Sequence, residues 1–196
     1  MRAQVLDASL GLFETCGGDV HLPAAAASMA LLTASGGTVD VFEVVGRLLV
    51  KCLIDGHAVP AVLAPSVFKF LLGAEVVAAA DLEPFFPQLA TILRQLGEVQ
   101  FAQPGAVEQA LQLRHRAEAL LPHLPHLPHA RALTSEERCA EFAQRLAQEV
   151  LVDSRREQLE ALKAGFSAVD LSGYLPVFSP RDLICLFTSP HRPTED

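Results

Sequence analysis

The sequence predicts a mainly α-helical α+β fold, and three observations carry that prediction. Asp40–Gly73 reads as two successive helices with recognisable starts and stops, leucine-rich helical periodicity recurs downstream, and the extended, glycine-punctuated segments are short and few. With 196 residues, of which 51% are hydrophobic, the chain can bury a sizeable core organised as one or two domains.

In chain order, Leu12 and Phe13, the turn at Gly17-Gly18, and the run through Val20 and Leu22 suit a short β-hairpin or a pair of extended segments. The Ala-rich run Ala24–Ala34 is expected to be helical, with Ser35-Gly36-Gly37 as the loop that isolates Asp40 as a fresh start. Asp40 and Glu43 have capping-box spacing, in which each side chain satisfies a backbone N–H at the helix start. Asp40, Glu43, Arg47, Lys51 and Asp55 form a narrow polar stripe. Phe42, Val45, Leu48, Leu49, Cys52 and Leu53 fill the rest of the circumference, so this helix is expected to be buried over most of its surface. Gly46 sits mid-helix at a cost of about 1 kcal/mol relative to Ala, and Gly56 ends the helix. Pro65 suits the first turn of a second helix. Val67, Phe68, Leu71 and Leu72 form its apolar face, and Gly73 stops it.

Asp81 is expected to open the next element, with Pro84 and Pro87 at tolerated first-turn positions. Leu89, Ile92, Leu93 and Leu96 recur at i, i+3, i+4 and i+7, Gly97 terminates the helix, and Val99–Phe101 reads as a short strand. GAVEQALQLRHRAEALL is a helical run. The LPHLPHLPH that follows cannot be α-helix, because each proline lacks an N–H. Its three-residue period is that of polyproline II, so it reads as an extended connector. Thr134 with Glu137 gives another capping box, opening a helix faced by Phe142, Leu146 and Val150. Ser154 with Glu157 starts the following helix, edged by Leu159, Leu162 and Phe166. Ser179 as cap and Pro180 at the first position open the last helix, and the polar tail TSPHRPTED is expected to be disordered.

FEVVGRLLVKCLIDGHAV followed by APSVFKFLLG resembles the N-terminal lobe of HECT-type ubiquitin ligases, at Phe42, Gly46, Arg47, Pro65, Phe68, Lys69, Leu71, Leu72 and Gly73. The resemblance extends to Leu12, Phe13 and Pro23 and to the leucine-rich DLEPFFPQLATILRQLGE. Downstream it takes in Thr134, Phe142, Gly165 and Phe166, and, as a partial match, Leu183, Ile184 and Cys185. It covers Leu12 to Phe187. The chain departs from the family after the Val99 segment, where a β-hairpin and acidic loop are replaced by the helical run and the Leu-Pro-His triplets. The resemblance implies a partial HECT domain with a bilobed, N-lobe-like arrangement. Residues 1–84 and 152–196 would form its larger subdomain, and residues 85–151 a smaller docking subdomain with a variable insertion at 105–133.

In the family a separate C-terminal lobe carries the ubiquitin-accepting cysteine in a Thr-Cys-Phe setting. Here Thr-Cys occurs at Thr15-Cys16, followed by Gly17, so the transfer chemistry is expected to be missing from these residues. What the resemblance leaves is docking of a ubiquitin-conjugating enzyme, with ubiquitin as a second partner. The implied groove uses Leu89, Ile92, Leu93, Leu96, Val99, Phe142 and Leu146. The same residues also read as the plain core of a small helical subdomain, and the inserted 105–133 region is placed to refill such a groove. Three functions follow as alternatives: a truncated ligase domain that docks a conjugating enzyme, a non-catalytic interaction or scaffold module built on the lobe, and a fragment of a longer ligase.

Other chemistries find little support. A net charge of −8 argues against a nucleic-acid surface. The apolar stretch AVPAVLAPSVFKFLLGAEVVAAA is interrupted by Pro60, Pro65, Lys69 and Glu75, which argues against a membrane span, and Asp7 breaks any signal-type core. Cys16, Cys52, Cys139 and Cys185 make no C-x-x-C pair. With Cys52 and Cys185 inside apolar helical patterns, they read as reduced, buried thiols of a soluble cytoplasmic or nuclear protein. His123, His126 and His129 stand about 9 Å apart in polyproline II, too far to share one zinc. Arg47 reads as a snorkelling helix residue. The acidic residues Glu136, Glu137 and Glu141 read as a solvated helix start, and neither a Ser/His/Asp order nor a phosphate loop is present. No cofactor and no metal are expected.

Overall fold

The structure, a computed structural model, describes residues 11–16, 20–25, 30–32, 38–58, 62–75, 78–121, 133–171 and 173–188. It is mainly helical, with short strands near the start of the chain. The described residues fall into two compact units, one built from residues 1–75 and 155–196 and the other from residues 76–154.

In the larger unit, β1 (Phe13–Cys16) and β2 (Val20–Pro23) pair antiparallel with Phe13 opposite Pro23, and β5 (Val62–Leu63) adds to β2 in parallel. Leu12, Phe13 and Leu22 are buried, and His21 and Pro23 beside Leu22 are buried as well. The ring of Phe13 lies 5.6 Å from that of Phe42, tying the hairpin to the first helix. Within the range Ala24–Ala34, expected to be helical, the described Ala30–Leu32 is instead strand β3, paired antiparallel with β4 (Thr38–Asp40). β-branched Thr38 and Val39 favour extended backbone, and pairing of the two strands outweighs alanine's helix propensity, a prior that tertiary context overrides. The Ser35–Gly37 loop itself lies outside the described residues.

Helix α1 (Val41–Asp55) starts at Asp40, whose carboxylate accepts from the N–H groups of Phe42 (2.9 Å) and Glu43 (3.2 Å). Only this half of the capping box is seen, because the Glu43 carboxylate pairs instead with Arg47 one turn on. The buried stripe of α1, with Val41, Phe42, Val45, Gly46, Leu49 and Val50, is narrower than expected. Val44 and Leu48 are exposed, and Cys52 and Leu53 are half-buried. Gly56 ends α1 in the left-handed region at φ 67°, and Gly73 does the same for α2 (Pro65–Leu72) at φ 69°.

The centre of the larger unit is the crossing of α1 with α7 (Arg156–Phe166). Gly46 and Gly165 face each other there, and a Cβ on either would collide with backbone: with the Leu162 carbonyl from Gly46, and with the Glu43 carbonyl from Gly165. The two backbones therefore approach at a distance no side chain would permit, which explains why a helix-weakening residue occupies the middle of α1. Phe166, Leu162 and Leu159 are buried beside it. The start of α7 differs from expectation. Ser154 donates back to the Val150 carbonyl (3.0 Å), a short 3₁₀ turn spans Asp153–Arg155, and Arg155 occupies the cap position without a side-chain cap bond. Arg155 is buried and donates to the Pro23 carbonyl (2.8 Å), with Glu14 at 3.6 Å, while Gln158 donates to the Ala25 carbonyl (3.3 Å). Burial pulls the Arg155 guanidinium below its ordinary value, and the nearby Glu14 opposes that shift.

The last helix, α8 (Pro180–Thr188), is capped by Ser179 as expected, and Asp182 makes that cap reciprocal. Ser179 Oγ accepts from the Asp182 N–H (3.2 Å), and the Asp182 carboxylate accepts from the Ser179 N–H (2.8 Å) and hydroxyl (2.7 Å). Phe187 stacks on Phe68 of α2 at 5.6 Å. Cys185 is exposed rather than buried, because Leu183 and Phe187 take the inward positions of this short helix.

The smaller unit consists of α3 (Ala78–Leu82), α4 (Pro87–Gly97), α5 (Ala106–Ala119) and α6 (Glu136–Leu151). Asp81 does not open an element but sits buried near the end of α3, and a turn carries Pro84 before Pro87 takes the first position of α4. Val99–Phe101 is irregular rather than a strand, since the residues that follow lead into α5 and offer no strand for pairing. The cap of α6 is Ser135 rather than Thr134, accepting from the Arg138 N–H at 3.4 Å. The Leu-Pro-His triplets and the polar tail lie outside the described residues.

Candidate docking site in the smaller unit

Four of the expected docking residues come from α4. Proline at its first position has the φ a helix needs and no N–H to leave unsatisfied. From there Leu89, Ile92, Leu93 and Leu96 line one face, and Ala90 is fully enclosed beside them. Val99 lies just beyond the helix and is also buried. Phe142 and Leu146 project from α6, on a face shared with Cys139, Ala143, Ala147 and Val150. Contacts of α4 with α6, and of both with α3, bring the apolar faces of α4 and α6 together, and all seven residues are buried. Every one of them is only 1–5% exposed, so in this conformation they are packed against neighbours and not lying open to solvent.

Part of what covers them is α5. Its inward face is Ala106, Ala110, Leu113 and Ala117, and it lies against α4. Arg114 extends from α5 over the ring of Phe142, with its guanidinium carbon 5.9 Å from the ring centroid. Arg114 Nε also donates to Glu118 Oε1 at 2.6 Å, and these two side chains are 21% and 26% exposed. A cation over an aromatic face in a partly dry setting is attractive by about 0.5–2 kcal/mol. Sequence periodicity identified the leucines and the phenylalanine but not Arg114. The signal that was present is its i, i+4 spacing to Glu118, a common surface pairing that does not point to a ring on another helix.

Beside the cluster an open cleft of about 530 Å³ runs between the first turns of α4 and the last turn of α5. Pro87, Gln88, Thr91 and Ile92 line one wall, and Arg116, Ala119 and Leu120 the other. Leu120 is 40% exposed, so the cleft has an apolar lip.

The described cysteines are free thiols. Burial raises both Cys52 and Cys139 above the ordinary thiol value, the opposite of what an acyl-accepting thiolate needs. Cys16 is followed by Gly17, and its side chain lies outside the described set. Among the described residues no cluster of His, Cys, Asp and Glu could hold a metal ion, and no helix is long and apolar enough to cross a membrane. His123, His126 and His129 lie outside them.

Comparison with known proteins gives two matches. The family profile described as HECT-domain (ubiquitin-transferase) matches residues 1–194. A Dictyostelium discoideum protein named as a bifunctional serine/threonine-protein kinase/NEDD4-like E3 ubiquitin-protein ligase is 33% identical over 144 residues, which is 73% of this chain. The matched stretch is 7% of that protein's length, so the chain spans a small part of its relative.

Proposed function

Because this chain belongs to the HECT-domain family of ubiquitin-transferases, we propose that its smaller unit docks a ubiquitin-conjugating enzyme, with ubiquitin arriving on that enzyme. The observation that carries this reading is the meeting of the apolar faces of α4 (Leu89, Ile92, Leu93, Leu96) and α6 (Phe142, Leu146), with Val99 also buried, in a unit with its own core. Interface anchors are large apolar or aromatic groups in well-packed settings, and Phe142 with its surrounding leucines has that composition. In a bilobed arrangement like the family's N-terminal lobe, residues 1–75 and 155–196 act as the supporting body.

The chemistry of this segment is binding rather than transfer. An acyl-accepting cysteine must be accessible and readily ionised, and Cys139 is buried while Cys52 and Cys139 are both held in the thiol form. Thioester formation therefore does not fall to Cys52 or Cys139. A second reading, an interaction module that keeps the lobe's core without docking a conjugating enzyme, is favoured by the near-complete burial of the seven residues.

The two readings are distinguished by titrating this chain with purified ubiquitin-conjugating enzymes, free and ubiquitin-charged. The docking reading predicts saturable binding and no thiol-reducible ubiquitin adduct on this chain. Absence of binding across the panel would leave the interaction-module reading, and a reducible adduct would overturn the reading of this segment as binding rather than transfer.

A further inference from the structure

We infer that α5 is an intramolecular cover of the docking cluster, so that a conjugating enzyme binds at full strength only when α5 is displaced; this rests on the docking reading above. Helix α5 packs on α4, which carries four of the seven cluster residues, and its Arg114 lies over Phe142, the large aromatic group of α6. Its last turn, through Arg116, Ala119 and Leu120, stands across the cleft from Ile92. An incoming protein that uses Phe142 as an anchor must therefore take space that Arg114 of α5 holds.

The cover is lightly attached. Three of the four residues α5 buries are alanines, and Leu113 is the one large apolar side chain among them. The helix starts at Gly105 with no side-chain cap bond, and Val107 and Leu120 point outward, 42% and 40% exposed. By contrast α4 buries Leu89, Ile92, Leu93 and Leu96. Segments with little buried apolar area open locally at lower free energy than those with large cores, so α5 opens more readily than α4. Arg114 suits the same role. Its ion pair with Glu118 is internal to α5 and partly solvated, so that pair travels with the helix.

The effect on binding follows from competition: apparent affinity equals intrinsic affinity multiplied by the fraction of molecules whose cover is open. The test uses the full chain and a panel of purified ubiquitin-conjugating enzymes, measured by calorimetry or interferometry. Leu113→Asp, which detaches the inward face of α5, is expected to tighten binding by about tenfold or more. Arg114→Ala, which removes the contact with Phe142 together with the ion pair to Glu118, is expected to tighten it by about two- to fivefold. Val107→Asp on the outward face leaves affinity unchanged. Hydrogen exchange on the wild type supplies an independent readout: amides of α5 are protected in the free chain and lose protection when the enzyme is bound, while α4 and α6 stay protected. Binding of equal strength in all variants, or α5 amides that remain protected in the complex, would overturn the cover and leave docking standing. If Leu113→Asp proves unfolded, Arg114→Ala and the exchange measurement decide. Failure of every folded variant to bind would remove the docking reading and the cover with it.

Discussion

Gly46 and Gly165 fix how closely α1 and α7 pack, since backbone atoms of the opposite helix occupy the space where each Cβ would stand. In an ordinary exposed helix, Gly→Ala is stabilising by about 1 kcal/mol. At these two positions the sign reverses: Gly46→Ala and Gly165→Ala are each expected to cost about 1–3 kcal/mol through overpacking, read as a lower urea midpoint with an unchanged slope. A neutral or stabilised Gly165→Ala would mean the helices stand further apart than described. Phe142 gives the corresponding prediction in the smaller unit. Phe142→Ala removes a ring that is 4% exposed and is expected to cost about 3–5 kcal/mol of stability. Its effect on partner binding is therefore interpretable only beside a melting curve. These residues were legible in the sequence to different degrees. The leucines and Phe142 declare themselves by helical spacing, and the Gly-Arg pair at 46–47 by family resemblance. What Gly46 packs against, and what covers Phe142, are contacts between segments far apart in the chain, which no local pattern records.

Among elements, those whose start and stop chemistry is written in adjacent residues were the ones the sequence located. Asp40 and Gly56 bound α1, Pro65 and Gly73 bound α2, and Ser179 opens α8. Removing the α1 cap by Asp40→Ala is expected to cost about 1 kcal/mol of stability, measurable by denaturant titration. The α8 cap carries a pH signature. Hydrogen bonds from Ser179, first from its hydroxyl and then from its N–H, hold Asp182 below the ordinary carboxylate value of 3.8. A depressed carboxylate contributes stability that is present above 3.8 and lost as pH falls through its lower folded value. The difference in melting temperature between wild type and Asp182→Asn is thus expected to be largest near neutrality and to shrink in acid. A difference independent of pH would remove the ionised cap. Elements defined by their neighbours were harder to read. Ala30–Leu32 becomes a strand because Thr38–Asp40 pairs beside it, whereas Val99–Phe101 stays irregular because the next segment is a helix. Strand formation depends on a partner, and the strand segment alone does not specify one.

At the scale of the whole molecule, the smaller unit is continuous in sequence while the larger one is assembled from both ends of the chain. A continuous unit with its own buried cluster is expected to fold when residues 76–154 are expressed alone, giving a helical spectrum and a cooperative melt. A non-cooperative transition would show that its core depends on the rest of the chain. The proposed work is likewise divided, with the smaller unit binding and the larger one supporting. The chain contains three isoleucines, and they serve as natural reporters: Ile54 on α1, Ile92 on α4 and Ile184 on α8. Methyl NMR of isoleucine-labelled protein during titration with a ubiquitin-conjugating enzyme addresses the docking site directly. The account predicts that the Ile92 methyl signal shifts saturably while those of Ile54 and Ile184 stay in place. An unmoved Ile92 alongside a shifting Ile54 or Ile184 would contradict it.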